Sequence, residues 1–205
     1  MKKTIITISR EFGSGGHFIG EEVAKRMNIP YYDKDIIFQI AEKTGYSESF
    51  IQEQSEYAPS KNLFAYAFVG RDRTGSSLSD QVYAAQTQVI RDLAQKGSCV
   101  IIGRCADYIL KDTEGIQLVR AFIYAPNDVR IHNIMESHNL SEKDAKLLLD
   151  EKDKRYHKRH LALTGSNRGD RHNRDILINS DFLGIQGTAE YLEDLIAKKY
   201  GKKEA

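Results

Sequence analysis

The stretch Thr4-Ile5-Ile6-Thr7-Ile8-Ser9-Arg10-Glu11-Phe12-Gly13-Ser14-Gly15-Gly16-His17 decides the architecture. Thr4 to Ile8 is β-branched at every position, the composition of a strand buried on both faces. Gly13-Ser14-Gly15-Gly16 reads as a loop. Beyond it, Ile19, Val23, Ala24 and Met27 recur at helical spacing, which predicts a helix from about His17 to Met27. A glycine-rich turn between a first strand and a first helix suits an anion. Backbone N–H groups and the helix N-terminus converge there, and glycine allows close approach to the main chain. The alternative is a plain tight turn.

The pattern G-x-x-x-x-G-K-[ST] gives a phosphate loop its lysine for the terminal phosphates and its hydroxyl for magnesium. With Gly15 as the second glycine, Arg10 stands at the first, Gly16 at the lysine and His17 at the hydroxyl. Arg10 or His17 is then the source of replacement charge, although an ordinary imidazole is mostly neutral at pH 7. A dinucleotide-binding loop is the rival reading. Asp33 follows Gly13 by 20 residues, where such a fold places its ribose carboxylate. Phe18 stands in place of the third glycine and argues against it.

Outward from this loop, strands and helices alternate. Ile29 to Asp33 reads as a short strand, Ile36 to Ala41 as a helix stopping at Gly45, and Val82 to Gly97 as another. Cys99-Val100-Ile101-Ile102-Gly103 reads as a central strand, and Ala106 to Leu110 as a short helix. Leu118 to Tyr124 is a further strand, with Asn127 as the expected cap of the next helix. Ser141, with Asp144 three positions on, opens one more helix. Asp175 to Asn179 is the last strand, and Thr188 to Lys199 is amphipathic. Residues 46–78 hold aromatics without a clean period, ending in a glycine-flanked loop with Arg71 and Arg73. The alternation predicts one α/β domain over residues 1–205: three layers, with about five parallel strands and helices on both faces.

Composition narrows the function. The chain has 205 residues and a net charge of +1, which argues against a general nucleic-acid binder. No apolar run reaches the ~18–20 residues of a membrane span, and the opening apolar stretch is too short for a signal peptide. Cys99 and Cys105 are the only cysteines, so neither a disulfide framework nor a zinc set is expected, and the setting is read as reducing and cytoplasmic. Between Lys152 and Arg174, eight Lys/Arg stand against two acids. Such a local positive field in a near-neutral chain points to a compact anionic ligand.

Five stretches together resemble the cytidylate kinase-like family. They are Ile8 to His17, Tyr32-Asp33-Lys34, Val100 to Leu110, Asp153 to Arg159, and Ile178 to Ile185. The resemblance covers nearly the whole chain and implies a P-loop NTPase-type kinase fold, with a helical acceptor lobe near 34–80 and a basic lid near 150–175. It implies ATP with Mg²⁺ and phosphoryl transfer to a nucleoside monophosphate of the CMP kind or another small acceptor. True cytidylate kinases carry the P-loop lysine that this chain lacks. A non-catalytic nucleotide-binding sensor on the same fold is therefore the alternative.

On that resemblance, Arg10, Gly13, Ser14, Gly15, Gly16 and His17 face the donor phosphates, and Asp33 and Arg104 face the acceptor. Arg155 and Arg159 face the transferring group. No residue is assigned to the metal. Each has a plainer reading. Asp33 also suits a helix N-cap, and Arg104 an ion pair with Asp107. Asp107 reads as a helix-face acid. Arg155 and Arg159, four apart, also suit a solvated basic face. Arg168, Arg171 and Arg174 lie in a segment that reads as a flexible loop, closing on a ligand or merely wet. Cys105 would need a histidine partner to act as a nucleophile.

Overall fold

The computed structural model describes residues 2–56 and 78–201. Arg71, Arg73 and most of the aromatic stretch lie outside them. Five strands form one sheet in the order β2-β3-β1-β4-β5, every neighbouring pair parallel. They are β1 (Lys3–Arg10), β2 (Tyr31–Tyr32), β3 (Cys99–Ile102), β4 (Ile116–Tyr124) and β5 (Ile176–Asn179). The helices are α1 (Gly16–Arg26), α2 (Lys34–Thr44), α3 (Glu48–Glu56), α4 (Leu78–Lys96), α5 (Ala106–Ile109), α6 (Asn127–His138), α7 (Glu142–Thr164) and α8 (Ser180–Tyr200).

The period of two along β1 and β3 divides the core. Ile5, Cys99 and Ile101 face α2, α3, α4 and α5, packing with Ile36, Ile40, Ile90 and Leu93. Ile6, Ile8, Val100 and Ile102 face α1 and α8, packing with Ile19, Val23, Leu192 and Ile196. Both faces are dry, which is why the strands read as unbroken apolar runs. A third cluster joins Ile134 of α6 to Ala145 and Leu149 of α7, and Phe12 from the glycine loop packs against it.

Several boundaries differ from the sequence reading. β2 keeps only Tyr31 and Tyr32: the Ile29 N–H turns back to the Ala24 carbonyl, and Pro30 has no N–H to give. Asn127 is not the cap of α6. Pro126 takes that place, and the Asn127 Oδ1 accepts from Arg130 Nη1 at 3.2 Å. Ser141 does cap α7, accepting from the Asp144 N–H at 3.2 Å. α8 begins at Ser180 and bends at Gly184 (φ 65°, ψ −176°), so the amphipathic tail is only its second part. The segment 165–174 is ordered by side chains. Arg171–Asn173 forms a 3-10 turn, and Arg174 is buried in an ion pair with the equally buried Asp107. Asp107 is thus a core acid rather than a helix-face one.

α1 lies close against the sheet because Gly20 has no side chain. A Cβ there would fall well inside contact distance of Ile102 Cδ1 and 3.3 Å from Ile8 Cδ1, both in fully buried residues. Overpacking of this kind costs about 1–3 kcal/mol. Gly20→Val is expected to lower the urea-unfolding free energy by about 2 kcal/mol. An unchanged midpoint would show that α1 sits further from the sheet.

Candidate functional site

The glycine loop runs from the end of β1 into α1, and its main chain is held from outside. Arg168 Nη2 donates to the Arg10 carbonyl. Ser14 Oγ donates to Glu11 O at 2.9 Å, Arg130 Nε to Phe12 O at 2.8 Å and Asn133 Nδ2 to Gly13 O at 2.8 Å. Ser180 Oγ donates to Ser14 O at 2.7 Å, and the Ile19 N–H to Gly15 O at 3.1 Å. Six successive carbonyls are thus engaged, four of them by side chains from outside the loop. The N–H groups of Gly13, Gly15, Gly16 and His17 donate to no group among the described residues. Such a turn of N–H groups at a helix start is an anion cradle.

Two glycines are needed there for geometry. Gly13 and Gly15 sit at φ 80° and 74°, where a side chain is strained. A Cβ at Gly13 would also press to 2.7 Å from the Arg130 carbonyl. Close packing against α6 therefore fixes Gly13, while at Gly15 a Cβ would meet only ordinary contact with Ile185 and the backbone angle alone requires glycine.

Beside the cradle, the chain leaves β3 through Gly103, Arg104 and Cys105, all left-handed (φ 63°, 53° and 53°). Non-glycine residues adopt that conformation at a cost on the order of 1 kcal/mol each. The turn is held by the Gly103 N–H on Ile8 O, by Ala106 N–H on Gly103 O, and by Gln86 Nε2 on Arg104 O at 3.0 Å. It places Arg104 beside Asp33, Arg10, Arg159 and Tyr156. Burial pulls the Arg104 guanidinium down to about 10. Asp33 opposes the shift, and Arg10 and Arg159 add to it. Its Nε is buried with no hydrogen-bond partner. Asp33 occupies the N-cap place of α2 but makes no capping hydrogen bond; its carboxylate instead acts on the Tyr31 hydroxyl and on Arg104. The alternative pair between Arg104 and Asp107 does not form, because Asp107 is taken by Arg174.

Arg155 and Arg159 both lie on α7, as their spacing requires. Arg159 is buried, donates to the Gln54 carbonyl of α3 at 2.8 Å, and is lowered from its ordinary value by burial. Arg155 pairs with Glu151 on its own helix. Arg168 is the residue that sequence reasoning left undecided. It is lowered to about 10 by burial, against the pull of Asp153, with Arg10 adding repulsion. Asp153 pairs with Arg168 at 3.5 Å and with the buried Arg130 at 2.6 Å. Arg171 is exposed.

His17 supplies no charge. Its ring lies on Phe18, with centroids 3.8 Å apart, and burial followed by Arg10 lowers its pKa from 6.5, so it is neutral at pH 7. Magnesium finds a poor donor set here. The hydroxyl place holds an imidazole, and no group of three or more His, Cys, Asp or Glu able to hold a metal occurs among the described residues. Cys105 has a histidine neighbour, its Sγ 3.7 Å from His160 Nδ1. Burial pushes the thiol up to about 12 and the imidazole down to about 4, so the pair rests as neutral thiol and neutral ring, not as a nucleophile.

Arg130, Asn133 and Gln86 escaped the sequence reading. Each sits in an ordinary helical stretch far from the loop or turn it holds, and nothing local marks it. Ser180 lies in the Ile178 to Ile185 stretch that carries the resemblance, which gives it no role of its own. No helix among the described residues is long and apolar enough to cross a membrane.

Comparison with known proteins bears on the family and the fold. A cytidylate kinase from Thermoplasma volcanium is 26% identical over 179 residues, covering 87% of this chain and 83% of that protein. The crystal structure of an uncharacterized protein from Eubacterium ventriosum superposes with a TM-score of 0.67 at 27% identity, covering 98% of this chain and 100% of the other. A shikimate kinase from Acinetobacter baumannii, solved with shikimate, has a TM-score of 0.51 at 15% identity, covering 98% and 96%, and shares the fold. The family model for the cytidylate kinase-like family matches residues 5–182. That span runs from within β1 to the start of α8 and takes in every cleft residue described above, so the chain belongs to the cytidylate kinase-like family.

Proposed function

We propose that this protein transfers a phosphoryl group from a nucleoside triphosphate to a small anionic acceptor, a nucleoside monophosphate of the CMP kind first among them. The observation that carries this reading is that every carbonyl from Arg10 to Gly15 is already engaged while the N–H groups of Gly13, Gly15, Gly16 and His17 have no partner among the described residues, beside a cluster of guanidinium groups. A cradle of N–H groups holds the donor phosphates through their oxygens. The family's relatives named cytidylate kinase support the acceptor class.

In this reading Gly13, Gly15, Gly16 and His17 present their N–H groups to the donor phosphates, with Ser14 bracing the turn between them and Arg10 beside them. Arg104 and Asp33 hold the acceptor. A guanidinium grips an acceptor phosphate through paired N–H groups, and Asp33 accepts from a hydroxyl or amine on the same molecule. Arg159, with Arg155 on the same helix, offsets charge on the phosphoryl group as it moves. Charge stabilisation and positioning are the main contributions a protein makes to this reaction. Mg²⁺ would enter as part of the triphosphate substrate, held by its phosphates, since the place of the usual hydroxyl ligand is taken by the His17 imidazole. The acceptor lobe near 34–80, of which residues 57–77 lie outside the described residues, would include α2 and α3, and residues near 150–175 would be the lid.

The first test is ADP release from ATP and Mg²⁺ against a panel of nucleoside monophosphates, with ATP titrated calorimetrically on the same sample. Transfer to a pyrimidine monophosphate is expected. ATP binding with no transfer to any acceptor would favour the second reading, a nucleotide-binding sensor, which the lysine-free loop and the imidazole at the hydroxyl place support.

Arg104→Ala is expected to raise the acceptor KM at least tenfold while leaving donor affinity within about threefold, since a charged hydrogen-bond pair is worth about 1.5–3 kcal/mol. Arg159→Ala is expected to lower kcat about a hundredfold or more, the scale of losing one preorganised transition-state partner. Arg159→Lys should recover part of that loss. Equal effects of both alanine variants on donor and acceptor binding would remove these role assignments.

A further inference from the structure

Arg10 and Gly16 sit at two places where the strict phosphate-loop pattern has glycine and lysine. The structure shows that these two departures are one. A Cβ at Gly16 would stand 2.6 Å from Arg10 Cβ, 3.0 Å from Arg10 Cγ and 3.3 Å from Ile123 Cβ. The first carbons of the Arg10 side chain therefore occupy the space in which any side chain on residue 16 would start. At the other end, a Cβ on Gly103 would collide with Arg10 Nη1. The arginine thus runs from the end of β1, across the first residue of α1, to the turn that follows β3. Bare glycine meets it at both ends.

We infer that the cation of this phosphate loop has moved from the helix start to the strand end: Arg10 does the work of the absent lysine, and Gly16 is glycine because Arg10 lies over it. This rests on the phosphotransferase reading above and goes beyond it, since it makes residues 10 and 16 a single exchanged unit. Three observations agree. Arg10 follows the path just described, beside the N–H cradle. Its charge acts on His17, Tyr31, Arg104 and Arg168, which places it among the groups lining the cleft. Its own carbonyl is fixed by Arg168, which is tied to Asp153, so the side chain departs from an anchored main chain.

The exchange has a chemical consequence. A guanidinium keeps its charge at every working pH and offers a planar fork of N–H donors. A lysine from residue 16 would approach the same phosphates as a single flexible ammonium. Adding a lysine at 16 to this chain does not repair the loop, because it would displace Arg10.

The test is calorimetric titration with ATP and, separately, with inorganic tripolyphosphate, which removes the base from the comparison. The proteins are the wild type, Arg10→Ala, Arg10→Lys, Gly16→Ala, the double variant R10A/G16A and the exchanged R10G/G16K. Arg10→Ala and Gly16→Ala are each expected to weaken both ligands at least tenfold. R10A/G16A should be no weaker than either single variant, within about twofold, because the second change finds the charge already lost. R10G/G16K should come within about fivefold of the wild type, and G16K alone should not. Tripolyphosphate binding by Arg10→Ala within twofold of wild type overturns the assignment and leaves the phosphotransferase reading standing. Failure of the wild type to bind either ligand overturns both. Thermal melts accompany every titration. If Gly16→Ala fails to fold, the Arg10→Ala and Arg10→Lys pair decides alone: Arg10→Lys must retain more affinity than Arg10→Ala, and equal loss counts against the assignment.

Discussion

Four of the six carbonyls from Arg10 to Gly15 are held by side chains from outside the loop, Arg168, Arg130, Asn133 and Ser180, and the rest of the site depends on that constraint. The Glu11 carbonyl closes a turn with Ser14, and the Gly15 carbonyl begins the α1 ladder. With the Glu11 and Ser14 N–H groups taken by Ile123 O and Glu11 O, the N–H groups of Gly13, Gly15, Gly16 and His17 are the ones left for an anion. The donors come from α6 (Arg130, Asn133), α8 (Ser180), the segment before β5 (Arg168), the loop's own Ser14 and α1 itself. Elements that are remote in sequence converge on one short turn. The cradle is consequently a property of the whole fold, not of the glycines alone.

The same donors link the parts expected to move relative to one another. Asp153 on α7 bridges Arg130, which holds Phe12 O, and Arg168, which holds Arg10 O. Phe12 packs into the cluster that joins α6 to α7. Arg159, further along α7, reaches the Gln54 carbonyl of α3. A displacement of α7 is thus felt at the entry to the glycine loop, at Arg10 and Phe12, and at α3. Buried charged pairs contribute little net stability compared with well-packed apolar residues, but losing one partner is costly. Their use here is to define one arrangement of loop and helix.

What was legible in the sequence follows from the range of the interactions. β1 and β3 could be read from composition because both of their faces are buried, and Ser141 because a cap acts within its own helix turn. Asn127 failed as a cap although the interaction is local: its side chain accepts from Arg130 one turn on in the same helix, and the preceding proline takes the N-terminal place. Arg174 looked like part of a wet basic loop, and only the fold brings it to Asp107, 67 positions away. Arg130 and Asn133 stand among ordinary helical residues and act about 120 positions away in the chain. Arg10 and Gly16 were legible as anomalies against the phosphate-loop pattern. Their coupling was not, since it is a matter of where one side chain passes over another backbone.

The charge balance of the cleft ties these observations together. Arg104 and Arg168 are both lowered to about 10 by burial, and each feels Arg10 as an additional repulsion. Asp33 acts on Arg104 and Asp153 on Arg168, yet Asp153 is shared with Arg130. The Arg104 Nε is buried without a partner, and its backbone is held in a left-handed conformation. Strain and unmatched charge concentrate in functional sites when the surrounding structure over-determines them. Here the surrounding sheet, Gln86 and the engaged carbonyls do so. An anion entering the cleft would relieve the repulsion among these guanidinium groups and find the N–H groups of Gly13, Gly15, Gly16 and His17 in place. Little reorganisation would then stand between binding and the geometry required for transfer.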